Sequence, residues 1–318
     1  MLLHSRIKTY TAEIVDDALR HAAALFARTP HHRRFFLVDA HVAAIYDRQV
    51  RQCVGDDFLL TIPATEQQKG YNALEVYYRA LLDAGMKRND MLVTIGGGVL
   101  QDISGFIAST LYRGVPWTFF PTTLLAQADS CIGSKTSINF GTTKNLIGSF
   151  YPPDVIAIDV GFCETLTPEC FNSGLGEIIK YHLMADEAKY DLLHRYVASG
   201  NLRARIHLEP IMRSSLEIKR TYIADDEFDM GRRMLLNYGH SFAHALEAGS
   251  AFAISHGEAV IIGMGLANLL SLKRGILPPW EYDRMERVLR AHYPQFDYAR
   301  VPTPTLIEYL QRDKKRVD

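Results

Sequence analysis

The largely apolar run Met91–Ile95 leads straight into Gly96, Gly97 and Gly98, and sequence compatible with a helix follows to about Leu111. A strand without polar alternation is buried on both faces, which happens when helices cover both sides of a parallel sheet. The neighbouring sequence repeats the pattern. Phe35–Val38, Phe58–Ile62, Trp117–Phe120 and Val155–Ile158 are further short apolar runs, and Tyr71–Ala84 reads as a helix stopped by Gly85. Upstream, Thr11 is suited to cap a helix in which Ile14, Val15, Ala18, Leu19, Ala22, Leu25 and Phe26 fall at helical spacing. This alternation predicts an α/β unit.

From about Thr167 the character changes. Gly174–Met184, Ile211–Ala224, Tyr238–Ala248 and Gly257–Leu272 all read as helices, and strand signals become scarce. The expected organisation is an α/β domain over residues 1–163 and an all-α domain over 164–318. At 318 residues the chain can bury two cores.

Charge narrows the partners. Lys+Arg 35 against Asp+Glu 36 leaves a formal charge of -1, so bulk attraction to nucleic acid or an anionic membrane is not expected. Affinity for anionic ligands must come from individual basic residues. The N-terminal sequence lacks a basic segment followed by an apolar run, and no stretch approaches the roughly 20 apolar residues of a membrane span, so a cytoplasmic enzyme is expected. Cys53, Cys131, Cys163 and Cys170 form no CxxC pair and read as buried thiols of a reducing compartment.

Three constellations carry chemistry. Glycines between a strand and a helix let backbone N–H groups approach a phosphate, although Gln101 holds the third glycine position of GxGxxG. Between Ala128 and Gly148, Asp129, Lys135, Lys144 and Asn145 stand among turns marked by Gly133, Gly141 and Gly148, a composition suited to a phosphate or carboxylate pocket or to a solvated basic loop. Finally, His240 and His244 lie four apart on one predicted helix face, His256 opens the next helix, and Glu177 offers a carboxylate. Two histidines and a carboxylate with one open position make a catalytic zinc site. Spacing favours His240 with His244, but without HExxH it does not choose the three ligands.

The motifs GGGVLQDISGFIASTLYRG, PTTLLAQADSCIGSKTSINF, KNLIGSFYPP, SGLGEIIKY, RRMLLNYGHSFAH and SHGEAV, in this order, resemble 3-dehydroquinate synthase and the related sugar phosphate cyclases, from about Asp39 to Lys315. The resemblance implies a Rossmann-like nucleotide-binding domain followed by an all-α metal- and substrate-binding domain, in a homodimer. It implies an enzyme that uses NAD and Zn2+ or Co2+ to cyclise a phosphorylated 2-keto-3-deoxy sugar acid with elimination of phosphate.

Matched motif by motif, the resemblance assigns the metal to Glu177, His240 and His256, and makes His244 a substrate-side histidine. It gives catalytic or substrate-binding roles to Lys135, Lys144, Asn145, Lys180, Lys219, Arg233, Asn237 and Asp129, and to one of Lys314 or Lys315. Arg113 would reach the neighbouring subunit's phosphate site. NAD falls to Asp39, Glu66, Lys69, Gly97, Gly98, Asp102, Thr122 and Thr123.

Departures from the family pattern are Gln101 for glycine, Ser134 before Lys135, and the Asn139–Thr143 approach to Lys144. Arg233, Asn237 and His244 keep the types expected for an acid substrate. Alternatives are a cyclase for another keto-sugar phosphate in secondary metabolism, a metal-dependent polyol dehydrogenase, and a non-catalytic NAD-binding protein.

Overall fold

The computed structural model describes residues 1–28, 33–141 and 143–311. Lys314 and Lys315 lie outside the described residues. The chain divides into two units, Met1–Thr165 and Leu166–Asp318.

The first unit holds β1 (Leu2–His4), β2 (Thr9–Ile14), α1 (Ala22–Ala27), β3 (Arg34–Asp39), α2 (Ala40–Ile45), α3 (Asp47–Val54), β4 (Phe58–Ile62), α4 (Tyr71–Asp83), β5 (Met91–Gly96), α5 (Gly98–Thr110) and β6 (Trp117–Pro121). It continues with β7 (Lys135–Phe140), β8 (Thr143–Phe150) and β9 (Val155–Ile158). The main sheet runs β1-β2-β9-β6-β5-β3-β4, parallel except where β1 pairs with β2. Its central strands β3, β5, β6 and β9 are almost wholly buried, and α1 packs on one face of them. The Phe26 ring stands edge-on to Phe36 and Phe120, with centroids 6.1 and 6.2 Å apart.

The helix expected to start at Thr11 does not form. Thr9–Ile14 is a strand whose Thr11 lies opposite Val155 and Ile14 opposite Ile158, and the helix is confined to Ala22–Ala27. Tyr10 and Ala12 point into the core while Thr9 is exposed. This period-two pattern, together with the hydrogen bonds offered by β9, outweighs the helical spacing that begins at Ile14. The turns expected between Ala128 and Gly148 are mostly an antiparallel hairpin, with Lys135 opposite Phe150 and Phe140 opposite Thr143.

Strand order reverses beside β3. Its sequence neighbour β4 lies on one side, and the chain then returns to place β5 on the other. Ligands of open α/β sheets bind outside the carboxyl ends of strands at such a reversal. Asp39 ends β3 and Gly96 ends β5, and a Cβ on Gly96 would stand 3.4 Å from the Asp39 Cβ.

The second unit contains α6 (Pro168–Leu183), α7 (Glu187–Ala198), α8 (Arg205–Asp225), α9 (His240–Gly249), α10 (His256–Lys273), α11 (Pro279–Arg290) and α12 (Thr303–Gln311), with no strand among its described residues. The run Gly257–Gly265 of α10 is buried apart from Glu258, as expected of a central helix packed against α6, α9 and α11. Among the described residues no helix is long and apolar enough to cross a membrane. Cys131 and Cys163 are buried and Cys53 is half-buried, but Cys170 is exposed on the first turn of α6, where its backbone N–H meets the Thr167 cap.

Candidate active site

In the second unit, α6 carries Glu177, α9 opens with His240, and α10 opens with His256. A close backbone contact and a glycine turn bring them together. A Cβ on Gly176 would stand 2.2 Å from the Gly257 carbonyl oxygen, so α6 and α10 touch one residue away from Glu177 and His256. Gly239, at φ 79, caps α9 in the left-handed region that favours glycine and turns the chain into His240.

Glu177, His240 and His256 each offer one ligand atom, and these atoms lie within 4.8 Å of one another. Both imidazole Nε2 atoms face Glu177 Oε1, at 3.5 Å for His240 and 3.3 Å for His256. That oxygen is buried and has no hydrogen-bond partner, an arrangement that costs free energy unless something fills it. The other ring nitrogens are occupied: His240 Nδ1 lies 3.2 Å from the Tyr238 carbonyl oxygen and His256 Nδ1 lies 3.3 Å from Glu247 Oε2. With a proton kept on each Nδ1, the Nε2 atoms would be the ones to offer lone pairs to a cation beside the carboxylate. Oxygen and imidazole donors with outer partners of this kind fit Zn2+ or Co2+.

Electrostatics agree. Burial alone would lower the His256 pKa, yet the Glu177 and Glu247 carboxylates beside it push it up to about 10. Burial disfavours the Glu177 carboxylate, but the Lys180 ammonium and the two histidines hold its pKa well below the usual range. The site is therefore built to keep positive charge against Glu177.

His244 lies outside this set of ligand atoms. Its ring packs 5.6 Å from that of His240 and stacks on His256 at 6.5 Å, so the pairing of His240 with His244 favoured by spacing gives way to His240 with His256. Lys180 is buried with its Nζ on Glu177 Oε2. Lys219 and Arg233 are buried, and the Arg233 guanidinium donates to the Glu227 carbonyl. Asn237 is half-buried at the end of the turn Arg232–Asn237.

The first unit gathers a second set. The Lys69 ammonium pairs with Asp102 at 2.5 Å and also donates to Asn145 Oδ1. Asp102 accepts from the Ser137 backbone N–H and hydroxyl, at 2.9 and 3.0 Å. Asn139 Nδ2 donates to Glu66 Oε2 at 2.9 Å, and Lys144 Nζ lies 3.9 Å from the same carboxylate oxygen. Glu66, Lys69, Asp102, Lys144 and Asn145 thus share one network, with Ser137 and Asn139 as its connectors. Lys135 is exposed at the start of β7.

Gly97 caps α5 with no side chain on its first N–H groups, and a Cβ there would stand 2.8 Å from Thr123 Cγ2. Thr122 is buried, its backbone N–H on the Gly96 carbonyl at 2.9 Å. The free helix start beside Gly98 suits a phosphate. Gln101 is held by Ser130: Nε2 donates to the Ser130 carbonyl and Ser130 Oγ donates to Oε1, each at 2.6 Å. Ser130 ends a turn of π-helix, Ala126–Ser130, that also carries half-buried Asp129. Arg113 is exposed at φ 64, following Tyr112 at φ 52.

Sequence reasoning missed Glu247 and Ser130. Glu247 had a legible signal, since it stands seven residues after His240 and hence on the same helix face. Ser130 had none, because only the fold brings it to Gln101.

The comparisons with known proteins follow this architecture. Residues 59–173 match the family model described as 3-dehydroquinate synthase N-terminal, and residues 174–316 match its C-terminal counterpart. The chain is 35% identical to the 3-dehydroquinate synthase of Dichelobacter nodosus (strain VCS1703A), over 98% of this chain and 87% of the relative. Among solved structures, a 2-epi-5-epi-valiolone synthase from Streptomyces hygroscopicus subsp. jinggangensis 5008, with NAD+ and Zn2+ bound, superposes with a TM-score of 0.84 at 30% identity, over 96% of this chain and 86% of that one. A 2-deoxy-scyllo-inosose synthase complexed with carbaglucose-6-phosphate, NAD+ and Co2+ superposes with a TM-score of 0.91 at 20% identity, over 99% and 89% of the two chains, a likeness of fold. Two matched domains and a relative aligned over 98% of this chain lead to one conclusion: the chain belongs to the 3-dehydroquinate synthase family.

Proposed function

We propose that the chain closes the carbon ring of a phosphorylated 2-keto-3-deoxy sugar acid and eliminates its phosphate, as a 3-dehydroquinate synthase does. The observation that carries this reading is the convergence of His240 and His256 on the orphaned Glu177 Oε1, in a unit that also buries Lys180, Lys219 and Arg233. A cation site together with buried positive charge suits an anionic substrate. A neutral polyol needs no such charge, which argues against the dehydrogenase alternative.

Glu177, His240 and His256 would hold Zn2+ or Co2+, which when bound polarises reacting hydroxyl and carbonyl groups as a Lewis acid. NAD would lie on Gly97 and Gly98 with Asp39, Thr122 and Thr123 around it, next to the wall formed by Glu66, Lys69 and Asp102; when bound it takes up a hydride and returns it, so it is not consumed. The Arg233 guanidinium suits bidentate capture of a carboxylate. Asn237, Lys135, Lys144, Asn145 and Lys219 are assigned to substrate oxygens, and Asp129 to a hydroxyl. Lys180 keeps positive charge at Glu177 Oε2, and the His244 imidazole moves protons at the substrate. Arg113 would complete the phosphate site of a second copy, which requires a homodimer.

The reading is tested by phosphate release from a panel of keto-sugar phosphates, with NAD and with or without a chelator. Release from the seven-carbon keto acid, lost on chelation, is expected. Reduction of NAD by a simple polyol with no phosphate release from any substrate would overturn it.

A further inference from the structure

Glu247 has no role in the reading above, yet its carboxylate meets one of the three converging residues. It is largely buried, with 16% of its side chain exposed, and its Oε2 lies 3.3 Å from His256 Nδ1. Glu247 is on α9, two turns beyond His240, so one helix face carries both a residue of the triad and a carboxylate directed at another. The connection from α9 to α10 fixes this pairing. Ala251 and Phe252 both take positive φ, 51 and 61, and the Phe252 N–H returns to the Glu247 carbonyl at 2.7 Å. The chain then enters α10 at His256 with its ring already against the Glu247 side chain.

An imidazole presents a lone pair at Nε2 only when its proton sits on Nδ1, and an acceptor at Nδ1 selects that tautomer and fixes the ring plane. His240 has a backbone carbonyl for this purpose, which no substitution of a side chain removes. His256 has only a side chain. We propose that Glu247 is a positioning residue: it holds the proton on His256 Nδ1 and turns Nε2 toward Glu177 Oε1, so that the cation site is formed before the cation arrives. This inference rests on the metal assignment made above.

The test compares wild type, Glu247→Ala and Glu247→Gln, all as full chains freed of metal. Zn2+ affinity is measured by competition with a chromophoric chelator, and geometry by the visible absorption of the Co2+ form. Removing an outer partner of a ligating histidine typically costs about 10–100-fold in metal affinity. Glu247→Ala is expected to lose that much and to shift the Co2+ bands. Glu247→Gln keeps an acceptor for Nδ1–H and is expected to recover most of the affinity with a near-native spectrum. Wild-type affinity and spectrum in Glu247→Ala overturn the inference while leaving the metal assignment standing. A wild-type chain that binds neither ion overturns both. If Glu247→Ala fails to fold, Glu247→Gln against Glu247→Leu decides, and equal affinities in that pair overturn the inference.

Discussion

Gly257 lies so close to Ser173 that a Cβ added to it would stand 2.0 Å from the Ser173 carbonyl oxygen. This contact sets the spacing of α6 and α10 where Glu177 and His256 face each other. Gly257→Ala must push two backbones apart, and overpacking of this kind costs about 1–3 kcal/mol. A fall of several degrees in melting temperature is expected by calorimetry. Zn2+ affinity should drop with it, since the strain is delivered one residue from His256. A variant that melts like wild type and binds Zn2+ as tightly would show that the helices can part without cost.

Much of the site was legible because its residues sit in contiguous motifs. Glu177, His240 and His256 stand at helix positions whose ends are marked by Thr167, Gly239 and Ser255, and the strand feeding Gly96–Gly98 formed as read. Reading the residues alone paired His240 with His244, because four-residue spacing reports one helix and says nothing of a second helix crossing it. The crossing depends on Gly176 meeting Gly257, a long-range contact with no local pattern. Thr11 illustrates the opposite error. Its surroundings satisfy helical spacing, yet β9 supplies strand partners that lie far away in sequence. The hairpin of β7 and β8 was hidden by its glycines, which mark turns but do not report that Lys135 and Phe150 are paired.

Gln101 and Ser130 form two hydrogen bonds with each other, one through the Ser130 carbonyl and one through its hydroxyl. Gln101 is buried, so losing a partner leaves a desolvated amide, at a cost of about 1–3 kcal/mol. Gln101→Ala and Ser130→Ala should each destabilise the fold in urea titrations, and the double variant should cost less than the sum. The coupling isolates the hydroxyl bond, because the carbonyl remains in Ser130→Ala. NAD affinity of Gln101→Gly, measured by calorimetric titration, should stay near wild type, since the side chain is turned to Ser130. Strict additivity would mean that the hydroxyl bond contributes nothing.

His182 is fully buried, its Nδ1 2.8 Å from the Ile178 carbonyl oxygen and its Nε2 2.9 Å from Ser214 Oγ. Burial pushes its pKa down from 6.5 to about 4. Below the unfolded value the unfolded chain binds a proton that the folded chain refuses, so stability falls as pH falls. The loss begins near pH 6.5, grows toward pH 4, and amounts to about 3 kcal/mol from this residue. Urea midpoints at pH 7, 5.5 and 4.5 should therefore decline more steeply in wild type than in His182→Gln. Parallel declines would show that His182 takes up its proton in the folded state.

His244 and His256 make the sharpest comparison, because their rings stack 6.5 Å apart and only one belongs to the converging set. His256→Ala removes one of three ligand atoms and should abolish stoichiometric Zn2+ binding after dialysis. His244→Ala leaves Glu177, His240 and His256 in place and should retain the ion. Its defect should fall on turnover, lowering kcat for phosphate release about 10²–10⁴-fold if His244 moves a proton in the rate-limiting step. Metal analysis by atomic absorption and turnover on the same samples separate the two effects. Equal loss of Zn2+ in both variants would return His244 to the ligand set, as its four-residue spacing from His240 first suggested.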